Sequence, residues 1–163
     1  MLFRSAGKPK EKNNFLFLAF SGEELGLYGS KYWTEHPTID LARVNYMINL
    51  DMVGRYEVSK GLSVSGSGTS PVWEPLLKEL GNGKITVKTD SSGTGPSDHT
   101  SFYLKNIPVL HFFTGSHNDY HKPSDDADKI NAEGEAEIMD LIVKLVNAAP
   151  TQAKLAFLPT KSK

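Results

Sequence analysis

The chain has 163 residues, 39% of them hydrophobic, a length and composition that suit one globular domain with a core of its own. Its 18 lysines and arginines almost balance 19 aspartates and glutamates, so the charge gives no reason to expect a nucleic-acid or membrane partner. Cysteine is absent, which excludes disulfides, a thiolate nucleophile and sulfur-ligated zinc, and leaves His, Asp and Glu as the candidate metal ligands.

Strands and helices are predicted to alternate along the chain. Short apolar runs bounded by Gly, Pro, Ser or Asn predict five strands, at residues 15–20, 44–50, 62–64, 85–87 and 109–113. The segments between and after them predict four helices, at residues 25–35, 71–80, 100–105 and 132–149. This order is typical of a layered α/β fold with a largely parallel sheet, in which active sites gather at the carboxyl ends of the strands.

Two of the predicted helices carry start signals. Ser70 is a suitable N-cap for the second helix, since a proline follows it. Asn131 is expected to cap the fourth helix, whose first turn contains Glu133 and Glu135. Acidic residues at that position interact favourably with the helix dipole.

The predicted elements define the limits of the domain, which we place at residues 15–149. Residues 1–14 are polar and lysine-bearing, and we interpret them as a polar leader, the remnant of a preceding helix. Residues 150–163 are expected to form a flexible tail.

Two adjacent carboxylates follow the first predicted strand. Glu23 and Glu24 stand in the segment FSGEELGL at residues 20–27, between an apolar run and a predicted helix. Successive side chains at such a junction point in different directions. One carboxylate can therefore hold a metal while the other faces a water or a substrate.

Two further candidate ligands follow later strands. Asp51 ends the apolar run at residues 44–50, and such an Asp taken alone is more often a turn or cap residue. His121 lies in the acidic loop at residues 114–128, and taken alone it is more often a surface histidine. Considered together with the paired glutamates, these residue types at strand ends match what zinc accepts in the absence of thiolates, with a spare Glu as general base.

Five motifs occur in order over residues 15–148: AFSGEELGLYGS at 19–30, NLDMVG at 49–54, SDHTSF at 97–102, IPV at 107–109, and YH at 120–121 followed by Asp125 and Asp128. They resemble the co-catalytic zinc aminopeptidases. That family includes bacterial leucyl aminopeptidases and aminopeptidase Y and, more distantly, glutamate carboxypeptidase and glutaminyl cyclase. The resemblance implies a three-layer α/β/α sandwich of the zinc exopeptidase type with a mostly parallel central sheet.

The resemblance also implies the chemistry, which is hydrolysis of an amino-terminal peptide bond by zinc-activated water, with a peptide or aminoacyl substrate. Glu23 is implied to be the general base. Glu24 and His121 are implied to bind one zinc ion, and Asp51 to bind the other.

Three more residues have roles implied by the resemblance. Tyr120 is similar to a tyrosine that donates a hydrogen bond to the scissile carbonyl oxygen, with a phenol packed under the loop as the alternative. Asp98 and His99 resemble a segment that lines and supports the pocket. Their alternative is that Ser97 and Asp98 merely cap the next helix.

Two ligands of the family have no counterpart ahead of Glu23. These are the histidine of a His-x-Asp motif and a bridging aspartate, whereas the 22 residues before Glu23 contain neither His nor Asp. His117 stands in a His-x-Asp sequence by coincidence, and we expect it at the pocket rim or on the surface. The resemblance therefore implies the carboxyl-terminal half of such a domain, with its amino-terminal part missing. We expect little or no activity alone and at most one weakly bound zinc ion, against two in the family.

Two other functions stay open. A glutaminyl cyclase-like acyl transferase shares the paired Glu, the Asp-His-x-x-Phe segment and the late His, and a non-catalytic peptidase-like scaffold or binding domain is the other alternative. Because a wholly apolar run at residues 15–20 requires cover and neighbours, we also expect self-association or a need for the missing amino-terminal half. The compartment is not indicated by this sequence, although relatives are often secreted or periplasmic.

Overall fold

Four strands and four α-helices build the described part of the protein. The computed structural model describes residues 14–81, 83–150 and 153–161. The strands are β1 (Met47–Asp51), β2 (Leu62–Ser65), β3 (Val87–Asp90) and β4 (Val109–Phe113). The helices are α1 (Tyr28–Glu35), α2 (Trp73–Leu80), α3 (His99–Tyr103) and α4 (Ala132–Ala148). Short 3₁₀ turns lie at Leu41–Arg43, Val53–Arg55, Ser67–Thr69 and Ala127–Lys129.

The sheet has the strand order β1-β4-β2-β3. β1 runs parallel to β4, with Asp51 opposite Phe113, and β2 runs parallel to β3, whereas β2 and β4 are antiparallel. The mostly parallel sheet predicted from the sequence is therefore confirmed. Because β1 and β4 are parallel neighbours, the residues that follow these two strands emerge at the same edge of the sheet.

Helices cover both faces of the sheet, as expected of a three-layer sandwich. Leu110 and Phe112 of β4 are fully buried in a core shared with α2 and α4, where each contributes about 1.5–3 kcal/mol by burial. Val109, one residue earlier, packs on the other face with Phe102 of α3. Trp33 of α1 stacks on Phe102 and completes that layer. The division follows from the alternation of strand side chains between two faces.

Residues 15–20, predicted as a strand with cover on its faces and neighbours at its edges, form no strand in the structure. Phe15, Leu16, Phe17 and Leu18 are exposed, Phe17 by 61%. The prediction was wrong because an apolar run becomes a buried strand only where a neighbouring strand pairs with it and other layers cover its faces. In the described part of the chain β1 forms one edge of the sheet, and residues 14–20 do not join it.

The helix starts agree with the sequence at one position and differ at another. Asn131 caps α4 as predicted, since its Oδ1 accepts a hydrogen bond from Gly134 N–H at 3.0 Å. Ser70 does not cap α2, which begins at Trp73, and the buried Ser70 hydroxyl has no hydrogen-bond partner among the described residues. Only the Ser70 carbonyl takes part in the helix start, accepting from Trp73 N–H at 3.3 Å. None of the described helices has the length and apolar character needed to cross a membrane.

Residues 153–161 pack against the body of the protein, although we expected a flexible tail over residues 150–163. Leu155 is buried. Three backbone hydrogen bonds hold the segment: from Leu155 N–H to Asn45 Oδ1 at 2.7 Å, from Leu158 N–H to Thr69 O at 2.8 Å and from Thr160 N–H to the Tyr103 hydroxyl at 2.8 Å. The sequence did not indicate this packing because every partner is distant along the chain.

Candidate active site

Glu23 and Glu24 lie in a tight turn that leads into α1. The N–H groups of Gly26 and Leu27 donate to the Glu23 carbonyl at 3.0 and 2.9 Å and close the turn. Gly26 has a φ of 120°, a conformation that residues with a side chain rarely adopt, so the turn requires glycine there. The residues that we predicted to begin the helix form this turn instead, and α1 starts at Tyr28.

The glutamate turn is fixed through the packing of α1 on α3. Ser30 Oγ and Ser101 Oγ, both in buried residues, lie 2.8 Å apart. The ring of Phe102 lies 6.0 Å from that of Phe20 and 5.4 Å from that of Trp33. Because the SDHTSF motif begins α3, this packing places the glutamate turn beside that motif.

Asp51 is the last residue of β1, and a polar network surrounds its carboxylate. Ser97 Oγ donates to Asp51 Oδ2 at 3.3 Å, and Asn49 Nδ2 donates to Ser97 Oγ at 2.8 Å. His111 Nε2 lies 3.8 Å from Asp51 Oδ2, which is an electrostatic contact rather than a hydrogen bond. The neighbouring His111 is the main cause of a pKa for Asp51 below its ordinary value, although burial acts in the opposite direction. Asp51 is therefore ionised, as a metal ligand must be.

His121 follows β4 on a loop and reaches the glutamate turn. Its Nε2 lies 3.3 Å from Glu24 Oε1. The ring centroid of Tyr120 lies 3.9 Å from that of His121. Tyr120 is 42% exposed, so the alternative of a phenol packed under the loop does not fit. Desolvation, followed by the charges of Glu24, Asp51 and Glu23, raises the pKa of Tyr120, which keeps the phenol available as a hydrogen-bond donor.

Glu23 is influenced by neighbouring carboxylates and by the Ser97 hydroxyl, whereas Glu24 contacts His121. Burial, followed by the charges of Glu24, Asp51 and Asp98, raises the pKa of Glu23, whereas the Ser97 hydroxyl lowers it. Glu24 therefore meets His121, and Asp51 meets Ser97, whose hydroxyl also acts on Glu23. A carboxylate with a raised pKa suits a general base.

Asp98 and His99 are buried beside this group of side chains. The His99 ring stacks on His111, with ring centroids 4.4 Å apart and planes 18° from parallel. Burial, followed by the proximity of His111, lowers the pKa of His99 to about 3, so the ring is neutral. The capping alternative does not fit, because Asp98 makes no side-chain cap to α3 and the Ser97 hydroxyl bonds Asp51. The supporting role of the pair stays a prediction.

Two residues of this network were missed by the sequence reasoning. Asn49 precedes Asp51 by two positions, so the period of the strand already placed both side chains on one face. His111 is opposite Asn49 in the β1–β4 register. It could be found only from that register, which the sequence does not show.

His117 was expected at the pocket rim or on the surface, and the structure corrects this. Its side chain is 5% exposed and its Nε2 lies 3.6 Å from Asp125 Oδ2. Its Nδ1 accepts a hydrogen bond from Asp119 N–H at 3.2 Å. His117 is thus an internal support of the loop that carries His121.

Glu24 and His121 fit a zinc ion. With zinc bonds of about 2.0–2.1 Å in a tetrahedral site, neighbouring donor atoms lie about 3.3 Å apart. The two donors here are 3.3 Å apart, and their side chains are 68% and 48% exposed, so an ion has access. No group of three or more His, Asp or Glu side chains placed to hold a metal ion occurs in residues 14–81, 83–150 and 153–161. The described part of the chain therefore offers two donors at this point.

Comparison with known proteins identifies relatives of the chain. A model of peptidase family M28 matches residues 2–146. Aminopeptidase YwaD of Bacillus subtilis is 30% identical over 159 residues, which cover 90% of this chain and 34% of YwaD. The structure of BSAP, a zinc aminopeptidase from Bacillus subtilis, has a TM-score of 0.64 to this chain at 28% identity. The matched region covers 85% of this chain and 38% of the BSAP chain.

A glutaminyl cyclase from Bacteroides thetaiotaomicron has a TM-score of 0.61 at 21% identity, covering 85% of this chain and 50% of its own, which shows the shared fold alone. The protein spans only part of its aminopeptidase relatives, 34% of YwaD and 38% of BSAP. The α/β fold predicted from the sequence is nevertheless the fold of BSAP. Since the family match extends over most of its length, the chain belongs to peptidase family M28.

Proposed function

We propose that the protein is part of a metal-dependent aminopeptidase, which hydrolyses the amino-terminal peptide bond of a peptide or aminoacyl substrate. The approach of His121 to Glu24 at 3.3 Å is the observation that carries this proposal. Membership of the family and the similarity to YwaD and BSAP, both named as aminopeptidases, support it.

In this mechanism Glu23 is the general base. It accepts a proton from the attacking water and passes it to the amine of the leaving group. Tyr120 donates a hydrogen bond to the scissile carbonyl oxygen as that oxygen becomes negatively charged. Glu24 and His121 would hold one zinc ion and Asp51 would contribute to a second. Bound zinc supplies Lewis-acid activation of the water and the carbonyl group.

We further propose that these 163 residues alone have little or no peptidase activity. A zinc ion in a protein has at least four ligands, and in catalytic sites three of them are side chains. Glu24 and His121 provide two, so one weakly held ion is the most that we expect here.

A chimaera tests the proposed activity. The amino-terminal part of the YwaD catalytic domain is joined to residues 15–163, and hydrolysis of an aminoacyl 4-nitroanilide is measured with zinc. We expect turnover, and we expect Glu23→Gln to lower kcat by about 10²–10⁴-fold through loss of the base. Glu79→Gln, which neutralises an exposed acid on α2, is the matched control and should keep full activity.

Other outcomes identify the alternatives. Cyclisation of a peptide with amino-terminal glutamine, without hydrolysis of the anilide, would identify an acyl transferase. A chimaera that holds no zinc, and whose properties are the same after Glu24→Gln or His121→Gln, would identify a scaffold.

A further inference from the structure

His121 stands on a loop that needs support from outside itself. The loop runs from Thr114, after β4, to Asn131, before α4, and its only helical turn is Ala127–Lys129. His121 has a φ of 57°, a left-handed conformation that costs energy for any residue other than glycine. Contacts from another part of the protein must therefore keep its ring against Glu24.

The connection between β1 and β2, residues 52–61, makes these contacts. It begins directly after Asp51, so the segment that follows one proposed ligand also holds the loop of another. Four hydrogen bonds tie the two ends of the loop to it: from Thr114 Oγ1 to Met52 O, from Lys60 Nζ to Ser116 O at 3.3 Å, from Asn131 N–H to Gly54 O at 2.8 Å and from Asn131 Nδ2 to Tyr56 O at 2.9 Å.

Arg55 joins this connection to the middle of the loop. One terminal nitrogen of its guanidinium lies 3.0 Å from Asp119 Oδ2, and the other donates to Asp125 Oδ1. The second oxygen of Asp119 accepts from Ser124 Oγ and Lys129 Nζ, both at 2.7 Å. The middle of the loop is therefore held by Arg55 from the connection and by Lys129 from within the loop.

Asp119 precedes His121 by two residues in a series of turns. Its carbonyl accepts from Lys122 N–H at 2.9 Å, and Tyr120 N–H donates to the His117 carbonyl at 3.0 Å. Its own N–H donates to His117 Nδ1. Because the backbone is bonded on both sides of Asp119, a displacement of this carboxylate moves Tyr120 and His121 with it.

We propose that Arg55 is a positioning residue which, by holding Asp119 and Asp125 together, keeps the His121 imidazole against Glu24. This role rests on the proposed function, since it affects chemistry only if His121 is a ligand. Isolated exposed ion pairs contribute little. Here the Arg55 and Asp119 side chains are only 18% and 19% exposed. The planar guanidinium also presents separate N–H groups to the two carboxylates in a fixed geometry, which the flexible ammonium of a lysine does not.

The experiment compares the unmodified 163-residue chain with Arg55→Gln, Arg55→Lys and the control Lys84→Gln. Lys84 lies just before β3, and its Nζ is 3.2 Å from Glu137 Oε1 of α4 in an exposed ion pair. The control therefore removes the same charge from a different ion pair. Backbone order parameters of residues 117–122 are measured by NMR without metal. The dissociation constant for Zn²⁺ is measured by competition with a chelator.

In Arg55→Gln we expect the order parameters of residues 117–122 to fall from about 0.85 to below about 0.6, with those of α2 and α4 unchanged. We expect the zinc dissociation constant to rise by about 10- to 100-fold, as for other residues that orient a ligand. For Arg55→Lys we expect both quantities to lie between those of the unmodified chain and those of Arg55→Gln. Lys84→Gln should match the unmodified chain in both.

Unchanged order at residues 117–122 in Arg55→Gln would overturn the proposal, as would an equal loss of order across α2 and α4. If Arg55→Gln does not fold, Arg55→Lys decides by the same criterion. Loosening of this segment in a chain that binds no Zn²⁺ would support the positioning role of Arg55 and would show that Glu24 and His121 do not suffice to hold the ion in this chain. If zinc binding is equal in Arg55→Gln and the unmodified chain, and the loop is unchanged, only the positioning role of Arg55 is contradicted.

Discussion

Glu23 and Glu24 are adjacent in the chain, yet their carboxylates meet different groups. Glu24 contacts His121 with a side chain that is 68% exposed. Besides the charge of Glu24 itself, Glu23 is influenced by Asp51, Asp98 and the Ser97 hydroxyl. The turn produces this division because consecutive side chains diverge. A site that needs one carboxylate as a ligand and another as a base thus obtains both from one dipeptide.

The buried His99 makes stability depend on pH. Its pKa is 6.5 unperturbed and about 3 in the folded protein, where burial is the main cause of the lowering. Between these values the unfolded chain binds one more proton than the folded chain, so the free energy of unfolding falls as the pH is lowered. The slope from this group is at most about 1.4 kcal/mol per pH unit.

We expect His99→Leu to flatten this dependence. The measurement is the free energy of unfolding from urea titrations at intervals between pH 6.5 and 5, where most carboxylates stay ionised. His36→Gln removes an exposed histidine at the end of α1 and should keep the slope of the unmodified chain. A slope that His99→Leu leaves unchanged would show that another group takes up the proton.

At the residue scale the sequence predicted the groups that local motifs carry. Glu23 and Glu24 could be found because an apolar run precedes them and a glycine turn surrounds them. Asn49 and His111 could not, since their relation to Asp51 depends on how β1 and β4 pair. Pairing between residues 62 positions apart, such as Asp51 and Phe113, leaves no local signal.

At the scale of elements, the start of α4 joins the helix to the connection that follows Asp51. Asn131 Oδ1 accepts from Gly134 N–H at 3.0 Å, and its Nδ2 donates to Tyr56 O at 2.9 Å. A Cβ added at Gly134 would lie 2.7 Å from Asn131 Nδ2 and 2.9 Å from the Tyr56 ring, so glycine allows this close approach. The cap therefore serves both the helix and the loop of His121.

We expect Asn131→Ala to lower the free energy of unfolding by about 0.5–2 kcal/mol, the usual cost of losing an N-cap. Thermal and urea unfolding measure it. Asn147→Ala, the same substitution at an exposed position inside α4, should be neutral or slightly stabilising because alanine favours helix. Equal stability of the two variants would show that the cap does not hold the helix start.

The strands show how far apolar pattern alone can predict an element. The run at β4 became a strand because β1 and β2 pair with it on both sides. Residues 15–20 are equally apolar, but they lie outside the sheet in the described structure. Apolar pattern predicts the tendency to be buried, whereas burial itself depends on partners that the pattern does not identify.

At the scale of the whole molecule, the two ends of the sheet have separate roles. Asp51 and the His121 loop lie at the carboxyl ends of β1 and β4. Residues 153–161 bond instead to Asn45, just before β1, and to Thr69, whose hydroxyl accepts from the N–H of Val109 at the start of β4. The carboxyl-terminal segment therefore covers the amino ends of these strands without entering the site.

The exposed apolar residues 15–18 predict self-association of the 163-residue chain. Among the described residues the sheet ends at β1. An edge strand can pair with another chain. We expect sedimentation velocity to show a mass that rises with concentration. Leu16→Lys combined with Leu18→Lys should raise the dissociation constant of the dimer by about 10-fold or more, because each buried leucine contributes more than 1.4 kcal/mol.

The control for this prediction is Val143→Lys, which places a lysine on α4, on the other face of the sheet, where Val143 is 55% exposed. It should associate like the unmodified chain. Addition of the amino-terminal part of the YwaD catalytic domain should compete with self-association if that part covers the same surface. A chain that sediments as a monomer at every concentration would contradict the prediction, because the burial of this apolar surface is its main driving force.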